Sequence, residues 1–260
     1  MQTLFRWKNK SDRAFTLIEL LVTTAVIGLL AAMLLPTFSR SRERASRVTC
    51  LNNQKQLSVG WELYSGDFNE RIPLNDVDLS GLVPRSTTNS WVTGNCFVDL
   101  APETITIGTM FHYVKDVDVY KCPADRSKIE DTDIPRHRSF SMSCYLAGPQ
   151  SNTELWGVQP MLTRTSQIGG PAKTMTFIDE DDRTIDDGHF LYTTNAGNWY
   201  NIPGWRHQNG TVLAFADAHV EYWKWKSRKP LRTAFSGAPM GDPAGYEDLA
   251  RLQATAPTAK

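Results

Sequence analysis

Residues Phe15–Phe38 read FTLIELLVTTAVIGLLAAMLLPTF, two dozen residues in which Glu19 is the sole ionisable side chain. Wound as an α-helix at 1.5 Å per residue, the run is about 36 Å long, enough to cross a hydrocarbon core of about 30 Å. A buried core helix and a secretory h-region are the competing readings. An h-region has about 7–15 residues before a small-residue cleavage site, so this run is too long for one. A membrane-spanning helix is the expectation. On its amino-terminal side, MQTLFRWKNKSDRA (1–14) carries Arg6, Lys8, Lys10 and Arg13 against Asp12; on its far side Arg40, Arg42, Arg44 and Arg47 stand with Glu43. Four basic residues on each flank leave the positive-inside rule tied. Orientation has to come from another feature.

The rest of the chain bounds the problem. Its 260 residues suffice for one large domain or two small ones with a true core. Eight Trp and a moderate charged fraction exclude a disordered or collagen-like chain. The 28 basic and 28 acidic side chains argue against a nucleic-acid coat, which needs clustered Lys and Arg on phosphate. That balance is uneven: without residues 1–14 the chain keeps 24 basic and 27 acidic side chains.

At the junction, a short basic leader ends in Ala14, and the apolar run opens with Phe15 and then Thr16-Leu17-Ile18-Glu19. This resembles the amino-terminal signal of type IV prepilins and type II secretion pseudopilins over about residues 13–38. It combines a basic leader, a small-residue junction, an aromatic first mature residue and Glu at the fifth mature position. Pro36 falls where that family often carries a helix-bending proline, and Ala14 stands where the family mostly has Gly. The resemblance implies cleavage between Ala14 and Phe15 by a prepilin peptidase at the cytoplasmic face, N-methylation of Phe15, and residues 39–260 outside the cytoplasm. It therefore implies a single-pass protein of the bacterial inner membrane.

A carboxylate in mid-membrane costs about 2.5–3.5 kcal/mol, so Glu19 needs a partner or a place at the membrane edge. The family implies a partner: the new α-amine of Phe15 on a neighbouring subunit during filament assembly.

The helical pattern continues through SRSRERASRVTCLNNQKQLSVGWELYS (39–65). At 100° per residue Cys50, Leu57, Trp61 and Tyr64 share one stripe, while Arg42, Lys55 and Val59 lie elsewhere. The stripe needs a folded domain to lie against. One helix from about Phe15 to Ser65 is expected, kinked at Pro36 and ended by Gly66-Asp67-Phe68-Asn69. Beyond it, short apolar runs (90–92, 104–114, 117–120, 139–145, 174–178, 211–215, 219–225) read as strands or short helices between Pro, Gly, Ser, Thr and Asn. None alternates with long helices, so a parallel βαβ sheet is not expected. The fold class is α+β, pilin-like: a long transmembrane helix packed on a small antiparallel sheet. The expected divisions are a leader (1–14), a transmembrane and assembly helix (15–38), its extracytoplasmic continuation (39–66), a globular domain (67–229) and an irregular tail (230–260).

Near the carboxyl end, WRHQNG (205–210) leads into TVLAFADAHVEYWKW (211–225), with Asn209-Gly210 and Ala216–His219 as turn signals. His207 and Asp217, separated by nine residues, resemble the H-X9-DG element of a large group of prepilin-type proteins, with Ala218 where that group has Gly. CLNNQKQL (50–57), YKCPADRS (120–127) and RSFSMSCY (138–145) also resemble segments of that group. His207, Asp217 and His219 are suitable metal ligand types, but a hydrogen bond from His207 to Asp217 across the hairpin is the favoured reading.

The segment 179–187 holds six carboxylates, hard ligands that suit Ca²⁺. Its spacing is not that of an EF-hand, and a solvated acidic loop is favoured; Asp179, Asp181, Asp182 and Asp187 are the ligand candidates if calcium binds. The cysteines, Cys50, Cys96, Cys122 and Cys144, contain no CxxC and allow three pairings. Cys122 and Cys144, both in segments resembling the group, are the first expectation for a disulfide, and Cys50 either pairs with Cys96 or is buried as a small hydrophobe. No P-loop, G-x-G-x-x-G or G-x-S-x-G element occurs, so an enzyme is not expected. The expectation is a structural subunit of a type IV pilus-like or type II secretion pseudopilus-like filament, with other pilin or pseudopilin subunits as partners and no cofactor or nucleic acid. The alternative is a membrane-anchored extracytoplasmic binding module, with carbohydrate as a candidate ligand, that does not polymerise.

Overall fold

The computed structural model describes residues 15–81, 83–149, 153–154, 157–194, 197–227, 238–239 and 243–260. Helix α1 (Leu17–Asp67) is followed by β1 (Val77–Asp78), β2 (Arg85–Ser86), α2 (Glu103–Thr106) and α3 (Phe111–Val114). Then come β3 (Phe140–Ser143), β4 (Met175–Asp179), β5 (His189–Phe190) and β6 (Asn198–Trp199). The chain closes with β7 (Gly210–Phe215), β8 (Val220–Lys224), β9 (Ala238–Pro239) and α4 (Pro243–Gln253). It divides into two compact units, Met1–Arg42 and Glu43–Lys260.

In the first unit the apolar run is helical from Leu17, with its large side chains outward: Phe15 is 70% and Leu17 86% exposed. Among the described residues, one helix is long and apolar enough to cross a membrane. Helical backbone continues through Pro36.

In the second unit the rest of α1 is amphipathic as its periodicity requires. Cys50, Leu57 and Trp61 are buried and Tyr64 half-buried, while Lys55 and Val59 stay exposed. The helix stops where its sequence runs into turn residues. Phe68 N–H still reaches Tyr64 O at 3.0 Å, and Asn69 and Glu70 then take left-handed φ of 55° and 65°.

The central sheet has the order β5-β3-β4-β7-β8, antiparallel except for the β3–β5 pair. The period of two sends alternate side chains to opposite faces. Phe140, Met142, Phe177, Val212 and Ala214 form one core with Cys50, Leu57 and Trp61 of α1. Met175, Ile178, Leu213, Phe215 and Trp223 form the other with Tyr192, Trp199, Trp225 and the α4 residues Leu249 and Leu252. Gln54 of α1 adds a polar tie, donating to Val212 O at 2.9 Å in the core. The arrangement is α+β, as expected.

The run 104–114, expected as strand or short helices, is two single-turn helices broken at Gly108, where a Cβ would lie 2.3 Å from Trp91 O. One expectation fails in detail. The carboxyl end is not wholly irregular: Pro243–Gln253 is helical and buries Leu249 and Leu252. Proline in the first turn, where its missing N–H costs nothing, starts α4, and the good helix formers Leu249, Ala250, Arg251 and Leu252 carry it on. Two of its neighbours are fixed by Asp248, whose carboxylate accepts from Lys226 N and Ser227 N at 2.9 Å each.

Candidate functional site

Two places carry chemistry. The first is the start of α1. Ala14 lies outside the described residues, and Phe15 is the first residue described. Thr16 N–H and Oγ1–H donate to Glu19 Oε2 at 2.9 and 2.7 Å, and Glu19 N–H donates to Thr16 Oγ1 at 3.3 Å. This reciprocal pair is a capping box, satisfying two N–H groups that the first helical turn leaves over. Thr16-x-x-Glu19 is its sequence signal. Within one chain Glu19 closes its own helix.

The second is a buried polar knot in the core between α1 and the sheet. Cys50 comes from α1, Cys122 from the segment after a 3₁₀ turn (Val117–Tyr120), Asp179 from the end of β4 and His207 from the turn before β7. One ligand-type atom of each lies within 4.8 Å of all the others, and all four residues are buried. Cys122 Sγ is 3.0 Å from His207 Nε2, and Glu43 Oε1 faces His207 Nδ1 at 3.5 Å. Asp179 is fixed from behind: Arg206 Nη1 donates to its Oδ1 at 2.6 Å, and Arg206 Nη2 pairs with Asp125 Oδ1 at 3.0 Å. Asp179 Oδ2 meets no donor with hydrogen-bond geometry. His207 is carried on three successive non-glycine residues in the left-handed region, His207, Gln208 and Asn209 (φ 55°, 64° and 74°). Such backbone persists only when its surroundings enforce it. Gly210 N–H to Arg206 O (2.8 Å) and Tyr222 Oη to His207 O (2.7 Å) supply the enforcement.

Burial sets the protonation of the knot. It raises the Cys50 thiol well above its ordinary value, with Cys122 adding to the effect. It raises the Asp179 carboxyl to about 6 against the pull of Arg206, and it lowers the His207 imidazole, with Glu43 opposing. Arg206, although buried, is held charged by Asp179 and Asp125.

Several expected contacts are replaced by others. His207 and Asp217 stand at the two ends of β7 and do not bond each other; Asp217 instead accepts from His219 N and Nδ1 in the β7–β8 turn. Ala218 does take the left-handed conformation, φ 62°, that glycine would adopt more easily. Cys122 and Cys144 are not joined: Cys122 belongs to the core on the α1 side of the sheet, and Cys144 to the other, where its thiol donates to Tyr192 O at 3.2 Å. Cys50 and Cys96 are not joined either, and Cys50 is buried.

The acidic segment is not a solvated loop. Asp179, Glu180, Asp181, Asp186 and Asp187 are buried, while Asp182 is exposed. Nor do the calcium candidates converge. Asp179 binds Arg206, Asp181 pairs with Arg183 at 2.6 Å, and Asp187 accepts from His189 N at 2.7 Å. Arg138, buried beside them, donates to Asp187 O at 2.6 Å. Each buried carboxylate accepts at least one hydrogen bond, as burial demands, while Asp179 Oδ2 and Glu180 Oε2 find no donor.

Comparison with known proteins bears on the amino-terminal feature. Residues 9–35 match the family described as "Prokaryotic N-terminal methylation motif". The chain is similar to the type II secretion system core protein G of Dickeya chrysanthemi, 29% identical over 80 residues, which cover 31% of this chain and 52% of that protein. It is also similar to the proteins of the same name from Pectobacterium carotovorum subsp. carotovorum, 31% identical over 76 residues (29% and 48%), and Klebsiella pneumoniae, 31% over 72 residues (28% and 51%). The chain thus spans about half the length of the curated relatives it matches. No solved structure matches. The N-terminal motif, the long apolar helix that bears it and these relatives make the amino-terminal part of this chain similar to prepilins and pseudopilins, and they are consistent with a membrane anchor.

Proposed function

We propose that the chain is a structural subunit that is processed by a prepilin peptidase and assembled into a type IV pilus-like or type II secretion pseudopilus-like filament. The observation that carries this reading is the methylation motif lying across the start of an apolar run, residues 15–38, whose sole ionisable side chain is Glu19. Removal of residues 1–14 at the cytoplasmic face would create an ammonium at Phe15, and Glu19 of an adjacent subunit is its natural counter-charge in a medium where unpaired charge is expensive. The helix then leaves the inner membrane to pack with other pilin or pseudopilin helices, and the domain faces outward. No catalysis is assigned to it; its role is assembly.

Replacing Glu19 with Ala tests this. Incorporation into sheared surface or periplasmic filaments should fall at least tenfold while the chain remains in the membrane fraction. Mass spectrometry of the wild-type amino terminus should find N-methylated Phe15. Wild-type incorporation by Glu19→Ala, or Met1 retained in every fraction, would refute the proposal.

A further inference from the structure

The knot of Cys50, Cys122, Asp179 and His207 has no part in the processing and assembly proposed above. Four ligand-type residues from four separate elements, far apart in sequence, point one atom each at a common centre in an otherwise apolar core. A tetrahedral zinc ion, with bonds of about 2.3 Å to sulfur and about 2.0–2.1 Å to nitrogen or oxygen, sets its ligand atoms about 3.3–3.8 Å apart. The 4.8 Å limit of this cluster exceeds that by about 1 Å, within reach of small side-chain rotations.

The surroundings are arranged as a second layer around such an ion. His207 presents Nε2 to the cluster, beside Cys122, and turns Nδ1 to Glu43. At 3.5 Å, short of hydrogen-bond geometry, that contact would tighten on metal binding into the carboxylate–imidazole pair which fixes tautomer and ring orientation in metal sites. Asp179 is held through Oδ1 by Arg206, and its buried Oδ2 remains without a donor. The left-handed backbone at His207–Asn209 is the local cost of placing that imidazole.

We propose that Cys50, Cys122, Asp179 and His207 form a structural Zn²⁺ site that fastens the Glu43–Asp67 part of α1 to the sheet. Two sulfurs and an imidazole select a borderline-soft ion over Ca²⁺ or Mg²⁺, which prefer all-oxygen sites. Four protein ligands in a buried position leave no open coordination site, so the ion supports the fold and activates no water. On binding, the two thiols lose their protons to solvent and the imidazole coordinates as the neutral base. The proximity of Cys50 and Cys122 also suits a disulfide, which is the competing outcome.

The full chain, purified in detergent without a histidine tag, should carry stoichiometric zinc by inductively coupled plasma mass spectrometry. After chelation, Co²⁺ added to the same chain should give the visible d–d bands of tetrahedral cobalt with a near-ultraviolet thiolate charge-transfer band. Cys96→Ser should retain both signals and Cys122→Ser should lose them. Glu43→Gln, at a half-exposed position outside the four ligands, should weaken zinc affinity about tenfold or more with an unchanged circular dichroism spectrum. Should Cys122→Ser fail to fold, the wild-type cobalt spectrum and the Glu43→Gln affinity still decide. Sub-stoichiometric zinc with no thiolate–cobalt band, or an intact mass 2 Da low from a Cys50–Cys122 disulfide, would overturn the proposal.

Discussion

Leu57 sits on the buried stripe of α1 with no exposed surface, in the core that also holds Trp61, Phe177 and Val212. Two residues away Val59 is 40% exposed on the same helix. Truncating Leu57 to Ala removes three buried carbons. At about 0.8 kcal/mol each this costs about 2.4 kcal/mol in transfer alone. The cavity adds to that, since neighbours relax only partly; Leu→Ala substitutions in closed cores cost about 2.7–5.0 kcal/mol. Packing here is close enough that a Cβ on Gly60, one turn away, would come within 2.8 Å of Val114 Cγ2. The loss from Leu57→Ala should therefore be about 3–4 kcal/mol, whereas Val59→Ala should cost about 0.5 kcal/mol or less. The assay is urea unfolding of the full chain in detergent, followed by tryptophan emission, with Trp61 and Trp91 as buried reporters. For an m-value of about 2 kcal/mol/M, the Leu57→Ala midpoint should fall by about 1.5–2 M and that of Val59→Ala by less than about 0.3 M. Equal shifts for the two variants would mean that α1 does not pack on the sheet through this stripe.

Burial alone lowers His189 from its ordinary value to about 4; the folded state therefore keeps it neutral while the unfolded chain takes up a proton, and stability should fall by about 3 kcal/mol as pH drops from 6.5 towards 4. His189→Gln should flatten that part of the pH–stability curve measured by urea midpoints, and parallel curves for variant and wild type would refute the assignment. Asp248→Ala strips the acceptor from Lys226 N and Ser227 N. It should cost about 2–3 kcal/mol in the same assay, and an unchanged midpoint would show that α4 does not hold the end of β8.

The parts of this fold legible in its sequence are those with a local period or a local motif. The run 15–38 needs only length and hydropathy, and the stripe Cys50–Leu57–Trp61 needs only the helical repeat. The strands at 140–143, 175–179, 210–215 and 220–224 announce themselves through apolar runs and turn residues. Helix α4 was hidden because its Pro, Gly and Ala content suggests irregular chain when averaged, whereas Pro243 at the first turn followed by Leu249 and Leu252 on one side is a helix signal. The acidic segment misled for a different reason. Charge density predicts solvent, yet inside the fold Arg206 pairs with Asp179, the nearby His189 N–H serves Asp187, and Arg138 donates to the Asp187 carbonyl. The Cys50–Cys122–Asp179–His207 knot could not be read at all from spacing, since its members are separated by 72, 57 and 28 positions. The expected Cys122–Cys144 bridge failed because the sheet's alternation sends the two thiols to opposite cores.

The mutual hold of Thr16 and Glu19 bears on the filament assembly proposed for this chain. A subunit waiting in the bilayer does not present a bare anion searching for a mate, because its carboxylate is already occupied by its own first turn. Docking against a neighbour's Phe15 ammonium is then an exchange of partners, and its net gain is smaller than a naked ion pair would suggest by the worth of a helix cap, about 1 kcal/mol. A contact weakened in this way favours reversible addition.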